Sequence, residues 1–348
     1  MIARYSTILV TLCLMIAAEG LVASAAAQSR TSGVGDQAIP RTPDGHPDFQ
    51  GTWTNETITP FERPEDQESP ILTWEEVQER QGGAVARIER GARPSDPDRA
   101  APRAGGSVGG YNNVYMDRGI NIAIVNGEFR SSLLTHPSNG RRPDLTPEGE
   151  RRRAAERAIR AQFEQYDHPE IRGLGERCIM SFGSSAGPPM IPNTAYNNNY
   201  IFVQTADHIM IMSEMVHDTR IIRIGDGPRL PPHVRPWMGD SWAHWEGDAL
   251  VVETTNLNPI QAFRGIRPSE DLKVTERFTR TAEGILYEFT VDDPTTYSEP
   301  WGGEIPFRPL NDRVYEYACH EGNYALSNIL SGARYQERME AEEESNRR

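Results

Sequence analysis

Lysine is nearly missing from this chain: Lys273 is the only one among 36 basic residues. A lysine nucleophile or Schiff base is thereby almost excluded, because Lys273 falls in an alternating run whose polar positions face solvent. Positive charge is also outnumbered. The 50 acidic residues leave a net charge of −14, which argues against nucleic acid or an anionic membrane surface as a partner. No stretch approaches the roughly 20 consecutive apolar residues of a spanning helix, so stable membrane insertion is not expected. Familiar catalytic signatures are absent too. There is no H-E-x-x-H, H-x-H or C-x-x-C, and no G-x-S-x-G nucleophile elbow. Gly105-Gly106-Ser107-Val108-Gly109-Gly110 lacks the lysine and the following helix of a phosphate loop.

Cysteine is scarce, with three residues in 348. The first of them, Cys13, lies within a segment that opens Met1-Ile2-Ala3-Arg4, continues as an apolar run from Ile8 to Ala18 and ends Ala25-Ala26-Ala27. That order reads as a secretory signal peptide over residues 1–27, with a periplasmic or secreted mature chain. Cys178 and Cys319 then remain. In an oxidising compartment they most simply form one disulfide, and two buried free thiols are the alternative. The bridge would close a loop of about 140 residues, worth roughly 4–5 kcal/mol in chain entropy before strain.

Residues 28–46 are polar and rich in Gly and Pro, the composition of a flexible leader. Residues 47–175 read as a helical and extended region. Thr73 caps a helix from Trp74 to about Arg90, and Thr146-Pro147-Glu148 starts a charged one running to about Tyr166. From residue 176 to 335 the pattern changes to short strands: Tyr200–Gln204, Ile209–Met215, Arg220–Ile224, Ser241–Trp245, Ala249–Thr255, Leu272–Arg280, Ile285–Val291 and Arg313–Ala318. Hairpin-length breaks at Ala206-Asp207, His217-Asp218-Thr219, Glu246-Gly247-Asp248 and Ala282-Glu283-Gly284 imply antiparallel neighbours. The expected fold is mainly β with peripheral α-helices, an antiparallel lipocalin-like barrel or a strongly curved sheet. The chain ends in a helix from Tyr324, with a charged tail over residues 336–348.

Several of these segments carry a resemblance. Pro47-Asp48-Phe49-Gln50-Gly51-Thr52-Trp53, Arg130-Ser131-Ser132-Leu133-Leu134, Asn139-Gly140-Arg141-Arg142-Pro143, His244-Trp245-Glu246-Gly247-Asp248 and Tyr315-Glu316-Tyr317-Ala318-Cys319-His320-Glu321-Gly322-Asn323-Tyr324 together resemble a widespread family of secreted bacterial proteins of unknown function. The resemblance spans nearly the whole mature chain and implies a single exported unit. It brings no activity with it.

Chemistry is therefore read from the residues. Three histidines stand beside carboxylates: His217 before Asp218, His244 between Asp240 and Glu246, and His320 before Glu321. A histidine so placed can be tuned as a base, an acid or a metal ligand. Side chains alternate along a strand, so Trp242, His244 and Glu246 share one face. If that face looks into the barrel, His244 serves as base and His320 as acid, with Asp240 or Glu246 orienting. If it does not, His244 is a satisfied structural residue and Glu246-Gly247-Asp248 merely a turn. Likewise His217-Asp218 can be only a turn, and His320 can simply satisfy loop carbonyls. Arg220 or Arg264 can anchor substrate charge, Trp242 and Trp301 can stack on a ligand, and Tyr196 opens a run of amides able to bind hydroxyls. No cofactor is favoured, although His217, His244 and His320 would make a three-ligand zinc, iron or copper site if they converged. The leading expectation is an enzyme acting on a small organic or sugar-like molecule by acid–base chemistry. The alternatives are a binding protein holding an apolar ligand in the barrel, or a metal-dependent enzyme.

Overall fold

Alternation of buried and exposed residues defines the strands of the computed structural model, which describes residues 39–94, 96, 98, 100, 118–181, 187–192, 198–261 and 267–348. The N-terminal part supplies β1 (Gly51–Thr54), the hairpin β2 (Ile124–Val125) and β3 (Glu128–Phe129), and β4 (Leu134–His136). Then follow β5 (Asn199–Gln204), β6 (His208–Ser213), β7 (Thr219–Ile224), β8 (Asp240–Glu246), β9 (Ala249–Thr255), β10 (Lys273–Arg280), β11 (Ile285–Asp292) and β12 (Trp301–Pro309). Strands β5 to β12 pair in sequence order, and β1 bridges β5 and β12 to close a nine-stranded barrel. The signal peptide expected over residues 1–27 lies outside the described residues.

Nine is an odd number, so one pairing must be parallel. It is β7 with β8, where Arg223 faces Trp242 and Ile224 faces Ala243. A parallel pair needs a return crossover, and residues 225–239 provide it, running along the outer wall of β8. There Leu230 N donates to Asp240 Oδ2 at 2.7 Å. Gly227 lies so close over the Trp242 ring that a Cβ would overlap it. The barrel is thus antiparallel at every junction but this one, a departure from the uninterrupted hairpins expected.

The strand expected over Arg313–Ala318 does not form, and β12 is the last strand instead. Gly302, Gly303 and Pro306 disguise it. At Gly303 a Cβ would strike the carbonyl of Leu133 on the neighbouring β4 segment, so the glycine permits the close approach. Pro306 falls between the stretch of β12 that pairs with β4 and the stretch that pairs with β1. Because β1 has already closed the barrel, residues 313–318 find no free edge. They lie against the β6–β7 end, with Tyr315 N donating to Glu214 Oε1 at 2.9 Å.

The barrel interior is filled by its own side chains. Tyr200, Phe202, Phe278, Tyr287, Phe289 and Phe307 are buried there, and Phe278 meets Tyr287 with centroids 4.9 Å apart. One end is sealed by residues 39–50. His46 stacks on Trp245 at 4.3 Å, Arg41 pairs with Asp248 at 2.6 Å, and Gln204 accepts from Phe49 N at 2.8 Å. Residues 39–46, expected as part of a flexible leader, therefore belong to the fold.

Among the described residues three α-helices are peripheral. Helix α1 (Trp74–Ala92) starts at a capping box between Thr73 and Glu76 and covers a small cluster of Leu72, Val77 and Ile122. Helix α2 (Pro147–Arg160) is anchored at its start, where buried Gly149 lies against the carbonyl of Thr296. It is shorter than expected because Gln162 N turns back to Ile159 O and Arg160 Nη1 reaches Ile171 O at 2.6 Å. Helix α3 (Ala325–Arg347) buries no residue. No described helix is long and apolar enough to cross a membrane.

Candidate functional site at the open end of the barrel

Residues 187–192 cross the end opposite the sealed one. Beneath them sits a closed polar group built from inward positions of five adjacent strands. Arg220 donates through Nε to Ser241 Oγ at 3.0 Å, through Nη1 to Glu276 Oε1 at 2.9 Å and through Nη2 to Thr254 Oγ1 at 2.8 Å. A second bond from Nη2 to Glu276 Oε2 makes the ion pair bidentate. Tyr287 Oη donates to Glu276 Oε1 at 2.8 Å and accepts from Met190 N at 2.9 Å. Burial pushes the Tyr287 phenol well above its ordinary range, and the Glu276 carboxylate adds to the effect. Every strong donor and acceptor in the group is answered within it, so its role is to join five strands and the crossing segment.

Next to this group lies a cavity of about 40 Å³, lined by apolar side chains that include Leu257, Leu272, Val274, Val291 and Trp301. That is room for roughly three waters, or for a small apolar group entering from outside. Its wall includes a buried amide oxygen, that of Gln261. Gln261 Oε1 is buried and has no hydrogen-bond partner among the described residues. Asp293, at the same wall, is fully engaged: it accepts from Ser269 N, Ser269 Oγ and Thr296 N. Arg267 also borders the cavity, and the same residue borders a larger groove of about 660 Å³ along α2.

The residues singled out in the sequence are scattered. His244 and Glu246 point outward, because Ala243 and Trp245 take the inner face of β8. His244 Nε2 lies 3.3 Å from Glu246 Oε1, and Arg277 holds the other oxygen at 2.6 Å. Arg277, and to a lesser extent His244, keep the Glu246 carboxyl below its usual range. Asp240 and Trp242 share that outer face under the crossover. Arg223 pairs with Asp240 and lies over the Trp242 ring at 4.2 Å. His320 is exposed in the C-terminal segment, and His217 Nδ1 lies 3.4 Å from Tyr317 O. The three histidines do not assemble, and among the described residues no three His, Cys, Asp or Glu side chains stand close enough to hold a metal ion. Arg220 is buried in the polar group rather than open to substrate, while Trp301 does reach the cavity wall. Tyr196 and Arg264 lie outside the described residues.

Cys178 and Cys319 form a disulfide with Cα atoms 5.7 Å apart. It secures the 174–181 loop and the C-terminal segment beside the β6–β7 turn. This turn is strained: Val216 and His217 both have left-handed backbone, at φ 59° and 47°, unusual above all for a β-branched residue. Beyond them Asp218 is buried, accepting from Ser181 N at 3.0 Å. Burial raises its carboxyl from the ordinary 3.8 to about 6, against the opposing pull of Ser181 N–H and His217. Since the folded-state value exceeds the unfolded one, the protonated form favours folding. The contribution is complete below the unfolded value and is lost as pH rises through about 6. Between pH 4 and 7 it should change the unfolding free energy by about 2–3 kcal/mol. Asp218→Asn should flatten that part of the stability profile in thermal melts. Superimposable wild-type and variant profiles would disprove the assignment.

Sequence reasoning missed Gln261, Arg267, Glu276 and Tyr287. For Glu276 a signal existed, since Val274, Glu276 and Phe278 occupy one face of an alternating strand and a charge between two core residues needs a buried partner. Gln261 and Arg267 sit in connecting segments, where no periodicity marks them. Comparison with known proteins adds nothing to the geometry: no family model, no curated protein and no solved structure matches the chain.

Proposed function

We propose that the protein binds a small organic molecule with an apolar body at the open end of the barrel. The observation that carries this reading is the buried Gln261 Oε1, without a hydrogen-bond partner among the described residues, in the wall of a mainly apolar cavity. A buried polar atom without a partner costs on the order of 1–3 kcal/mol, and a ligand that supplies the missing hydrogen bond recovers it. Binding sites combine this kind of apolar lining with a few placed polar groups. The packed interior supports a site at the end rather than a ligand held along the axis. Acid–base catalysis by His244 and His320 draws no support from the geometry, as both rings face solvent on different parts of the surface. The disulfide supports an exported protein working in an oxidising compartment.

The test is titration with N-phenyl-1-naphthylamine, a neutral probe that fluoresces when taken out of water and that need insert only a ring edge into the cavity while the rest covers its mouth. Saturable enhancement is expected, weakened about tenfold by Leu272→Phe, which narrows the cavity, with the melting temperature of the variant checked alongside. No enhancement, or enhancement indifferent to Leu272→Phe, would show that the site is elsewhere or absent.

A further inference from the structure

The groove along α2 differs in character from the rest of this acidic chain. Among the described residues Arg152, Arg153, Arg160 and Arg267 border it against two carboxylates, Glu156 and Glu170, and the exposed Ile159 and Phe163 add apolar surface. The four arginines are held differently. Arg152 is fixed by Thr296 Oγ1 at 3.1 Å and Pro268 O at 2.8 Å, and Arg160 by Ile171 O. Arg267 instead pairs with Glu156 at 2.6 Å, and both side chains remain substantially exposed, at 45% and 34%. An ion pair of that kind is weak and readily exchanged. Arg267 is also the residue that borders both the groove and the apolar cavity.

We infer that the ligand is an amphipathic organic anion: its mainly apolar body, carrying one N–H or O–H donor for Gln261 Oε1, enters the cavity, and its carboxylate or sulfonate lies in the groove on Arg267. This rests on the reading of the barrel end as a small-molecule site, and adds the charge of the ligand and the residue that meets it. A neutral molecule would leave the excess positive charge of the groove unanswered. An anion gains a planar, two-pronged donor in Arg267, displacing Glu156 from a contact that costs little to break. Arg152 and Arg160 stay bonded to the body of the protein and supply a fixed positive field around the anion.

The experiment compares two probes with the same aromatic body: 8-anilino-1-naphthalenesulfonate, which carries a sulfonate, and neutral N-phenyl-1-naphthylamine. The sulfonate should bind at least about tenfold more tightly at low salt, and the advantage should shrink with ionic strength. Arg267→Gln should bring the two affinities together by weakening the sulfonate far more than the neutral probe. Glu156→Gln, which frees Arg267, should tighten the sulfonate by about threefold and leave the neutral probe unchanged. If the neutral probe binds and responds to Leu272→Phe while the sulfonate gains nothing, or if Arg267→Gln leaves the sulfonate affinity intact, the inference of an anion is overturned and the binding site stands. If neither probe binds, both fall together.

Discussion

Glu276→Leu is expected to lower the unfolding free energy by about 3–5 kcal/mol, among the largest single-residue effects in this chain. The carboxylate is wholly buried and Arg220 is only 2% exposed. With Glu276 gone, the guanidinium keeps its bonds to Ser241 and Thr254 but has no countercharge inside a wall of apolar side chains. Arg220→Met should cost a similar amount by leaving the carboxylate unpaired. The pair Arg220→Met with Glu276→Leu should be less damaging than either alone, because no isolated charge remains and the replacement side chains resemble their surroundings. A double-mutant cycle in denaturant titrations measures this directly. Single variants costing less than about 1 kcal/mol, or a double variant costing the sum of both, would mean that the pair is not isolated from water.

Cutting the disulfide comes next in size. Its cysteines are 141 residues apart, and for a loop of that length chain entropy alone assigns the bridge roughly 5 kcal/mol. Cys178→Ser with Cys319→Ser should therefore shift the denaturation midpoint strongly, with an expected loss of about 3–5 kcal/mol once strain is subtracted. A second readout separates local from global effects. Beyond β12 few bonds among the described residues hold the chain to the rest besides the bridge, among them Tyr315 N to Glu214, Asn323 Nδ2 to Glu176 O and Arg334 to Asp167. α3 contributes no buried residue to compensate. Limited proteolysis of the double serine variant should begin between residues 310 and 325 before the barrel is attacked. Cleavage at the same rate with and without the bridge would show that it does not secure this segment.

The strands were legible because alternation is a local property. Seven of the eight expected strands lie within a residue or two of those observed, since Val, Ile and Phe at every second position describe a wall with one wet side. What failed was non-local. β1 reads as a short aromatic run before Pro60, and nothing in Gly51-Thr52-Trp53-Thr54 announces that it closes a barrel with a strand near the other end of the chain. β12 hides behind two glycines and a proline whose tolerance depends on neighbours far away in sequence. The histidine clusters misled for a related reason. Alternation says that Trp242, His244 and Glu246 share a face, and it cannot say which face; the crossover that covers Trp242 settles that they point outward. Of the open-end site only Trp301 was legible, because Gln261 and Arg267 come from connecting segments.

The closure of β1 onto β12 also constrains the order of events during synthesis. Trp53 pairs with Pro309 and Thr54 with Arg308, contacts that span about 250 residues, so the barrel cannot close until nearly the whole chain has emerged. Until then the nascent sheet, with β1 already laid on β5, carries two raw edges, at β1 and at the latest strand made, each able to recruit a stray strand from another molecule. The last act of folding is therefore the return of the oldest part of the chain to the newest.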